Sequence, residues 1–475
     1  MSALWTLDTM AAAMKAERAG TLPAEVQGIS IDSRSISKGE AFFAILGENR
    51  DGHDFVEAAF KSGAGLAVVA HAQVSRFADA PLLVVEDVLV ALRDLAGAAR
   101  VRFAGKVIAV TGSVGKTGTK EALRLALAGD GETHASAASY NNHWGVPLSL
   151  ARCPQNAKYA VFEIGMNHAG EIAPLTKLVR PNVAIITAVE PVHLEYFGSL
   201  EKIADAKAEI FLGLTPGGAA VLNRDNSQYA RLEASAKAAG VSRIVTFGKH
   251  ADADAKLLRV SLQTDSSTVE ARILGENVTY KLGAPGHHVV LNSLAVLAAV
   301  ALAGADLALS ALALANLKPT AGRGARARLR VPGGSALLID ESYNANPASM
   351  AAAIALLGQA PVEKSGRRIA VLGDMLELGL TGPELHRALA GPLAAAGVDL
   401  VFCSGPLMRA LWEALPSSRR GGYAETAAAL EPAVLDAIRD GDAVMVKGSL
   451  GSKMGPIVKA MERQFPRQGA LTPQV

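Results

Sequence analysis

The stretch KVIAVTGSVGKTGTKEALRLALA, Lys106 to Ala128, sets one lysine and one hydroxyl directly after a glycine-bearing turn. Val107 to Val110 reads as a buried strand, Thr111 to Gly115 as the turn, and the apolar-periodic run from Lys116 onward as a helix. Such a strand, turn and helix N-terminus make a phosphate cradle. Backbone N–H groups of Gly112, Ser113, Val114 and Gly115 can approach phosphate oxygens, and the helix end adds positive potential. Lys116 would reach the outer phosphates, and the Thr117 hydroxyl would ligate Mg²⁺. The usual loop of this kind has glycine six residues before the lysine. Val110 stands there, so TGSVGKT is a variant, and its context points to nucleotide binding.

Other residues fall at places where they could serve the same chemistry. YAVFEI, Tyr159 to Ile164, reads as a strand with Glu163 at its end. Open parallel sheets bind ligands at the C-terminal edge, so a carboxylate there suits Mg²⁺. A solvent-facing glutamate is the alternative, and the loop GMNHAGE that follows favours the metal. The strand Val183 to Val189 leads into EPVHLEYFGSL and brings His193 to the same edge for metal ligation or phosphate contact. Lys202 and Lys207 lie on the helical run EKIADAKAEIF and read by default as solvated charges. Asn292 falls one turn into a long helix opened by GAPGHH, where its amide offers a donor and an acceptor to an adenine edge. Arg34, in the turn Ser33-Arg34-Ser35, could fork onto phosphate oxygens, although a surface arginine is the plainer reading. Arg323, Arg326 and Arg328 read as a turn carrying either phosphate clamps or a solvated basic patch.

These residues need a large α/β framework. The chain has 475 residues, half of them apolar and 19% charged, enough for extensive cores. That length corresponds to about three domains. Short strands alternating with helical runs give a small N-terminal α/β unit over 1–83. A central unit follows over 84–318, a parallel-sheet domain of the P-loop ATPase type with an antiparallel hairpin between 256 and 282. Four apolar strands, each followed by a polar loop, make 319–475 a Rossmann-like, doubly wound unit. Leu89, Leu92, Ala96, Ala99 and Phe103 share one helical face at the first boundary. The alanine-rich stretch Leu291 to Leu317, interrupted by Asp306, reads as one or two buried helices rather than a membrane span. A net charge of +2 argues against a nucleic-acid or membrane surface. Cys153 and Cys403 have no paired spacing, which fits a reducing compartment, and MSALWTLDTM lacks the charge and apolar pattern of a signal peptide. The expectation is a cytoplasmic monomer.

Taken together, IDSR, GENRDGHDF, TGSVGKT, SYNNHWGVP, FEIGMNHAGEI, HLEYFGSL, AKAEI, AGRGARARL, DESYNANP, LGDMLELG and VKGS resemble the Mur ligases. These are the ATP-dependent amide-forming enzymes of peptidoglycan synthesis, and the likeness covers nearly the whole chain. DESYNANP resembles the branch that adds D-alanyl-D-alanine. The resemblance implies a first domain that binds UDP-N-acetylmuramoyl-tripeptide, with Ser33 and Arg34 near the uridine diphosphate. It implies a central ATPase domain and a third domain that closes over ATP and receives the dipeptide. Lys116 would hold the ATP phosphates, and Thr117, Glu163 and His193 would serve Mg²⁺ and phosphate. Lys207 would be carbamylated to bind a second Mg²⁺. Asn141 and Asn142 would lie near the muramoyl-peptide, Asn292 by the adenine, and Arg323 and Asp340 by the phosphates and ribose. Tyr343, Asn344 and Asn346 would lie by the nucleotide and the incoming dipeptide. Val289 stands where the family often has a second adenine-side asparagine.

The chemistry implied is activation of the tripeptide carboxylate as an acyl phosphate, followed by amine attack, with Lys116, Mg²⁺ and Arg323 screening the anions. The alternatives are the sister ligase that adds diaminopimelate or lysine, a folylpolyglutamate-synthase-like ligase, a P-loop ATPase or kinase, and a non-catalytic nucleotide-binding module.

Overall fold

Parallel strands buried on both faces read as continuous apolar runs, and crossover helices must cover each face. Three sheets built this way succeed one another along the chain. The computed structural model describes residues 3–137, 139–192, 194–263, 265–362 and 365–468. The first part comprises β1 (Trp5–Thr6), α1 (Leu7–Met14), β2 (Glu17–Ala19), β3 (Glu25–Val26), β4 (Ile29–Ser30), β5 (Ala41–Phe43), α2 (Val56–Lys61), β6 (Leu66–Ala70) and β7 (Leu82–Val85). β1 pairs with β3, and the order β2-β7-β6-β5-β4 makes a five-stranded sheet, parallel except for β2. The expected boundary at 83/84 falls inside β7, so the first sheet runs on to Val85. LLVV is short and wholly buried, and it is pinned between β2 and β6 by pairing that no local pattern reveals.

The connecting helix α3 (Val88–Arg102) starts at Asp87, whose carboxylate accepts the N–H groups of Leu89 and Val90 at 2.7 and 2.8 Å. The central part then runs β8 (Lys106–Thr111), α4 (Lys116–Ala128), β9 (Thr133–Ala135), α5 (Gly145–Ala151), β10 (Tyr159–Glu163), α6 (Ile172–Val179), β11 (Val183–Ile186), α7 (Leu194–Phe197), α8 (Leu200–Ala208), β12 (Ala219–Asn223), α9 (Tyr229–Ala238) and β13 (Arg243–Gly248). It continues through β14 (Ala255–Leu262), β15 (Ser267–Ile273), β16 (Glu276–Leu282), α10 (His287–Ala303) and α11 (Leu307–Ala313). The sheet order is β16-β15-β14-β13-β12-β11-β8-β10-β9. The alternating stretch expected as a hairpin is a three-stranded antiparallel meander that extends the parallel sheet through β13 and β14.

Side chains alternate across β8. Val107 and Ala109 enter one core with α3, α5 and α6, whereas Ile108 and Val110 enter another with α4, α10 and α11. The first core also takes Phe43, Leu66, Val68 and Leu83 from the first sheet, so α3 is packed between two sheets. This explains why Val88 and Leu95 are buried along with the Leu92, Ala96 and Ala99 stripe.

The third part holds β17 (Ala325–Val331), β18 (Gly334–Glu341), α12 (Pro347–Gly358), β19 (Arg368–Gly373), α13 (Gly382–Arg387), α14 (Ala390–Ala395), β20 (Leu400–Ser404), α15 (Arg409–Ala414), β21 (Arg420–Ala424), α16 (Ala427–Ala437), β22 (Ala443–Lys447) and α17 (Gly455–Gln464). The order is β17-β18-β22-β19-β20-β21, parallel except for β17. Two edge strands therefore join the four expected. They are more polar than the rest because an edge strand keeps one side toward water. Arg326 and Arg328 lie on edge strand β17, not in the turn that carries Arg323.

Arginines stitch the first and second parts together. Arg100 of α3 donates to the carbonyls of Val179 at 2.7 Å, Arg180 at 2.9 Å and Phe103 at 3.2 Å, closing the C-terminal end of α6. The Arg102 guanidinium lies 3.4 Å from the centre of the Trp5 ring and donates to Leu4 O, while the Trp5 indole donates to Ala151 O. Arg152, at the end of α5, donates to Ile29 O of β4 at 2.6 Å. Replacing Arg100 by methionine keeps the aliphatic stem but leaves buried carbonyls unpaired. We expect a loss of about 3 kcal/mol, read as a lower midpoint in chemical unfolding. An unchanged midpoint would show that the stitch is dispensable.

Candidate active site

Parallel pairing of β10, β8 and β11 sets Glu163 beside Val110 and Ile186 beside Thr111, so three strand ends open at one level. The turn 112–115 leaves β8 there. Gly112 has φ +149°, and a Cβ on it would stand 2.0 Å from Thr187 Oγ1. Gly115 has φ +85°, and a Cβ would stand 2.5 Å from Asn292 Nδ2. Both positions demand glycine, by backbone conformation and by space. The second clash also places Asn292 against the loop itself, one turn into α10.

Lys116 folds back over the turn and donates to Gly112 O at 2.7 Å and, more weakly, to Ser113 O at 3.4 Å. Burial holds its ammonium below the ordinary lysine pKa. The nearby Glu163 carboxylate acts against that shift, and Arg323 adds to it. Thr117, the next residue of α4, donates its hydroxyl to Glu163 Oε2 at 2.8 Å. Asn141 donates to the other carboxylate oxygen of Glu163 at 2.7 Å. Lys207, in the last turn of α8, is only 3% exposed. Burial, reinforced by the positive charge of Lys116, pushes its amine well below the usual value. The default reading of Lys207 as a solvated charge is therefore overturned.

The third sheet contributes across the gap. Arg323 Nη2 lies 3.4 Å from Ser139 Oγ, and the guanidinium carbon sits 4.2 Å from the centre of the Tyr343 ring. Ser139 in turn lies 3.3 Å from Thr117 Oγ1. Asp340, near the end of β18, accepts from Gly322 N at 2.8 Å and from the Ser342 hydroxyl at 2.6 Å, which shapes the turn bearing Arg323.

Other residues singled out from the sequence have local structural partners. Asn142 accepts Gly145 N at the start of α5, and Asn346 caps α12 in a reciprocal box with Ser349. Asn344 accepts Ala345 N through its side chain, while its carbonyl accepts from Lys447 Nζ at 3.0 Å. Ser33 is buried in the first part, next to the exposed Arg34, whose Nε and Nη2 clasp Asp32 at 2.9 and 2.7 Å. That pairing holds the Asp32 carboxyl down at about 2. His193 lies outside the described residues. The sequence reading missed Ser139, Thr187 and Lys120. Thr187 follows the apolar run of β11 as the loop threonine Thr111 follows that of β8, the one signal that could have drawn attention to it. Lys120 lies wholly buried in α4 and donates to Ser136 O at 2.6 Å.

Among the described residues no group of three or more His, Cys, Asp and Glu side chains is placed to hold a metal ion. A hydroxyl and one carboxylate, Thr117 and Glu163, nevertheless fit Mg²⁺. Such sites take one or two carboxylates and fill the rest of the shell with phosphate oxygens and water. The loop with its positive-φ glycines, the Lys116 ammonium and the N-terminus of the 13-residue α4 fit phosphate. No helix among the described residues is long and apolar enough to cross a membrane.

Comparison with known proteins gives the same picture for the whole chain. Residues 25–100 match the Mur ligase family catalytic domain, 110–300 the Mur ligase middle domain, and 327–450 the Mur ligase glutamate ligase domain. UDP-N-acetylmuramoyl-tripeptide–D-alanyl-D-alanine ligase of Rickettsia prowazekii (strain Madrid E) is 32% identical over 455 residues, covering 96% of this chain and 99% of its own. A crystal structure of MurF from Acinetobacter baumannii superposes with a TM-score of 0.82 at 29% identity, over 97% of this chain and 99% of that one. MurF ligase from Thermotoga maritima, solved in complex with ADP, gives 0.74 at 26% identity, over 92% and 97% of the two chains. With one relative more than 30% identical along nearly its full length and family matches on all three parts, the chain belongs to the Mur ligase family.

Proposed function

We propose that this chain is an ATP-dependent ligase that joins D-alanyl-D-alanine to the tripeptide carboxylate of UDP-N-acetylmuramoyl-tripeptide in peptidoglycan precursor synthesis. The observation that carries this reading is the Thr117–Glu163–Asn141 hydrogen-bond chain beside the phosphate loop. It sits in a chain that aligns end to end with relatives named for that reaction. The three parts divide the labour. The first, extended to Val85, binds the UDP end through Ser33 and Arg34. The central one binds ATP, and the third receives the dipeptide. The MurF ligase solved with ADP supports nucleotide use. The work belongs in the cytoplasm, and one chain supplies every residue named, so a monomer suffices.

A carboxylate is a poor electrophile, and its approach to a phosphoryl group sets anion against anion. Lys116 and the amides of 112–115 hold the phosphates in line and spread their charge. Thr117 and Glu163 would hold Mg²⁺, which would supply further neutralisation of the phosphates, and the buried Lys207 would add a ligand once carbamylated. Arg323 reaches over from the third sheet, backed by the Tyr343 ring, and adds charge when the two parts close on the nucleotide. The tripeptide carboxylate, oriented by Asn141 and Asn142, attacks the γ-phosphorus of ATP, the bond to the bridging oxygen breaks, and ADP leaves as the acyl phosphate forms. The amine of the dipeptide, placed by Asn344 and Asn346, then attacks the acyl carbon, and phosphate leaves. Closure excludes water from the acyl phosphate, and positioning accounts for most of the rate. Burial lowers the Lys207 pKa, which favours the neutral amine that carbamylation by carbon dioxide would require. Its carbamate would be a second anionic ligand.

Phosphate release separates the readings. It should require ATP, Mg²⁺, UDP-N-acetylmuramoyl-tripeptide and D-alanyl-D-alanine together. Release without the dipeptide would favour a plain ATPase, and release only with free diaminopimelate or lysine and the shorter UDP substrate would favour the sister ligase. Lys116→Ala should cut turnover by at least about 10³-fold and leave UDP-substrate binding intact, and near-normal turnover would remove the cradle from the mechanism. Glu163→Gln should raise the Mg²⁺ concentration for half-maximal rate at least about tenfold, and an unchanged Mg²⁺ titration would take Glu163 out of the metal site. Lys207→Ala should be inactive and regain part of its rate with a short-chain carboxylic acid. Full activity of the unsupplemented variant would rule out any role for Lys207.

A further inference from the structure

The sequence NRDN, Asn223 to Asn226, follows β12 and has no part in the mechanism above. Its two asparagine side chains reach the segment 187–190, which lies alongside the phosphate loop. That segment is laced to the loop from end to end. Thr187 N donates to Thr111 O at 3.0 Å, and Ser113 N donates to Ala188 O at 2.8 Å. Thr187 Oγ1, buried at 1% exposure, donates to Val114 O at 2.6 Å. Ser113 Oγ donates to Glu190 O at 3.0 Å and accepts from Glu190 N at 2.9 Å. The loop therefore takes its shape from this strap as well as from its own glycines.

The strap's outward carbonyls are held by the two asparagines. Asn223 Nδ2 donates to Thr187 O at 3.1 Å, and Asn226 Nδ2 donates to Val189 O at 3.0 Å. Each amide also uses its oxygen locally: Asn223 Oδ1 accepts Asp225 N at 2.9 Å, and Asn226 Oδ1 accepts Gln228 N at 3.0 Å. Asp225 between them accepts the N–H groups of Lys249 and His250 at 2.7 and 2.9 Å, anchoring the turn to the end of β13. Only a side chain with a donor at one end and an acceptor at the other satisfies both demands at each position. Aspartate there would keep the local turn but set a carboxylate against a carbonyl.

We propose that Asn223 and Asn226 are positioning residues for nucleotide binding, acting through the 187–190 strap on the shape of the phosphate loop. The proposal rests on the reading of TGSVGKT as the ATP-phosphate site. The test uses the full-length N223D/N226D variant with β,γ-imido-ATP and Mg²⁺, measured by calorimetry, alongside steady-state kinetics. The dissociation constant of the analogue and the KM for ATP should each rise about tenfold. The KM for UDP-N-acetylmuramoyl-tripeptide should stay within about twofold and the melting temperature should be retained, a selectivity that a general packing role would not produce. Thr187→Val, which removes the hydroxyl joining strap to loop, should show the same selective loss and serves if the double variant folds poorly. An unchanged analogue affinity in folded variants would overturn the proposal, and so would equal loss of both substrates. If the unsubstituted protein fails to bind the analogue, the ATP reading itself falls and takes the clamp with it.

Discussion

The hydrogen bond from Thr117 to Glu163 is the contact on which the central part is organised. It spans 46 residues and exists only because β8 and β10 pair in parallel with Glu163 opposite Val110. A slip of one residue would turn Glu163 to the other face of the sheet and leave the hydroxyl of α4 without it. On the far side of β8, the register of Ile186 with Thr111 brings Thr187 under Gly112. The phosphate loop is thus held from both neighbouring strands. Its two positive-φ positions must be glycine, because the places that side chains would fill are already occupied by Thr187 and Asn292.

Three cations, Lys116, Lys207 and Arg323, influence one another beside this loop. Lys116 and Lys207 are both pulled below the usual lysine pKa, chiefly by desolvation, and the charge of Lys116 acts on Lys207. Arg323 adds a third cation. The Glu163 carboxylate acts against the effect of burial on Lys116. The same arrangement couples the third sheet to the second, because the Arg323 guanidinium, stacked on Tyr343, reaches Ser139 beside Thr117.

The first part is fixed differently. Its sheet and the central sheet share the core around α3, and Arg100, Arg102 and Arg152 tie the connecting elements through backbone carbonyls. α5 begins just after Asn141 and Asn142 and ends at Arg152, which bonds to β4 shortly before Ser33 and Arg34. A short rigid helix thus relates the end that would hold the uridine diphosphate to the loop that touches Glu163. Spacing of this kind suits a long substrate gripped at one end and reacting at the other.

Much of this was legible in the order of residues. The glycine turn between an apolar strand and a helix, the carboxylate closing YAVFE, and the polar loops after each strand of the third part are local patterns, and local sterics and hydrophobic periodicity determine them. Less regular segments were not legible. The meander from Ala255 to Leu282 read as a hairpin, β7 was cut by a boundary, and β17 and β21 were missed as strands. Edge pairing depends on partners distant in sequence and leaves only a faint local pattern. By itself the sequence determined the family motifs and offered the candidates for holding phosphate and metal. Only the tertiary structure decided that Lys207 is buried with Lys116 acting on it, that Asn292 lies under Gly115, and that Asn223 and Asn226 donate to the segment 187–190 beside the loop. Those facts follow from strand order and register, which parallel pairing across long crossovers sets and no local pattern encodes.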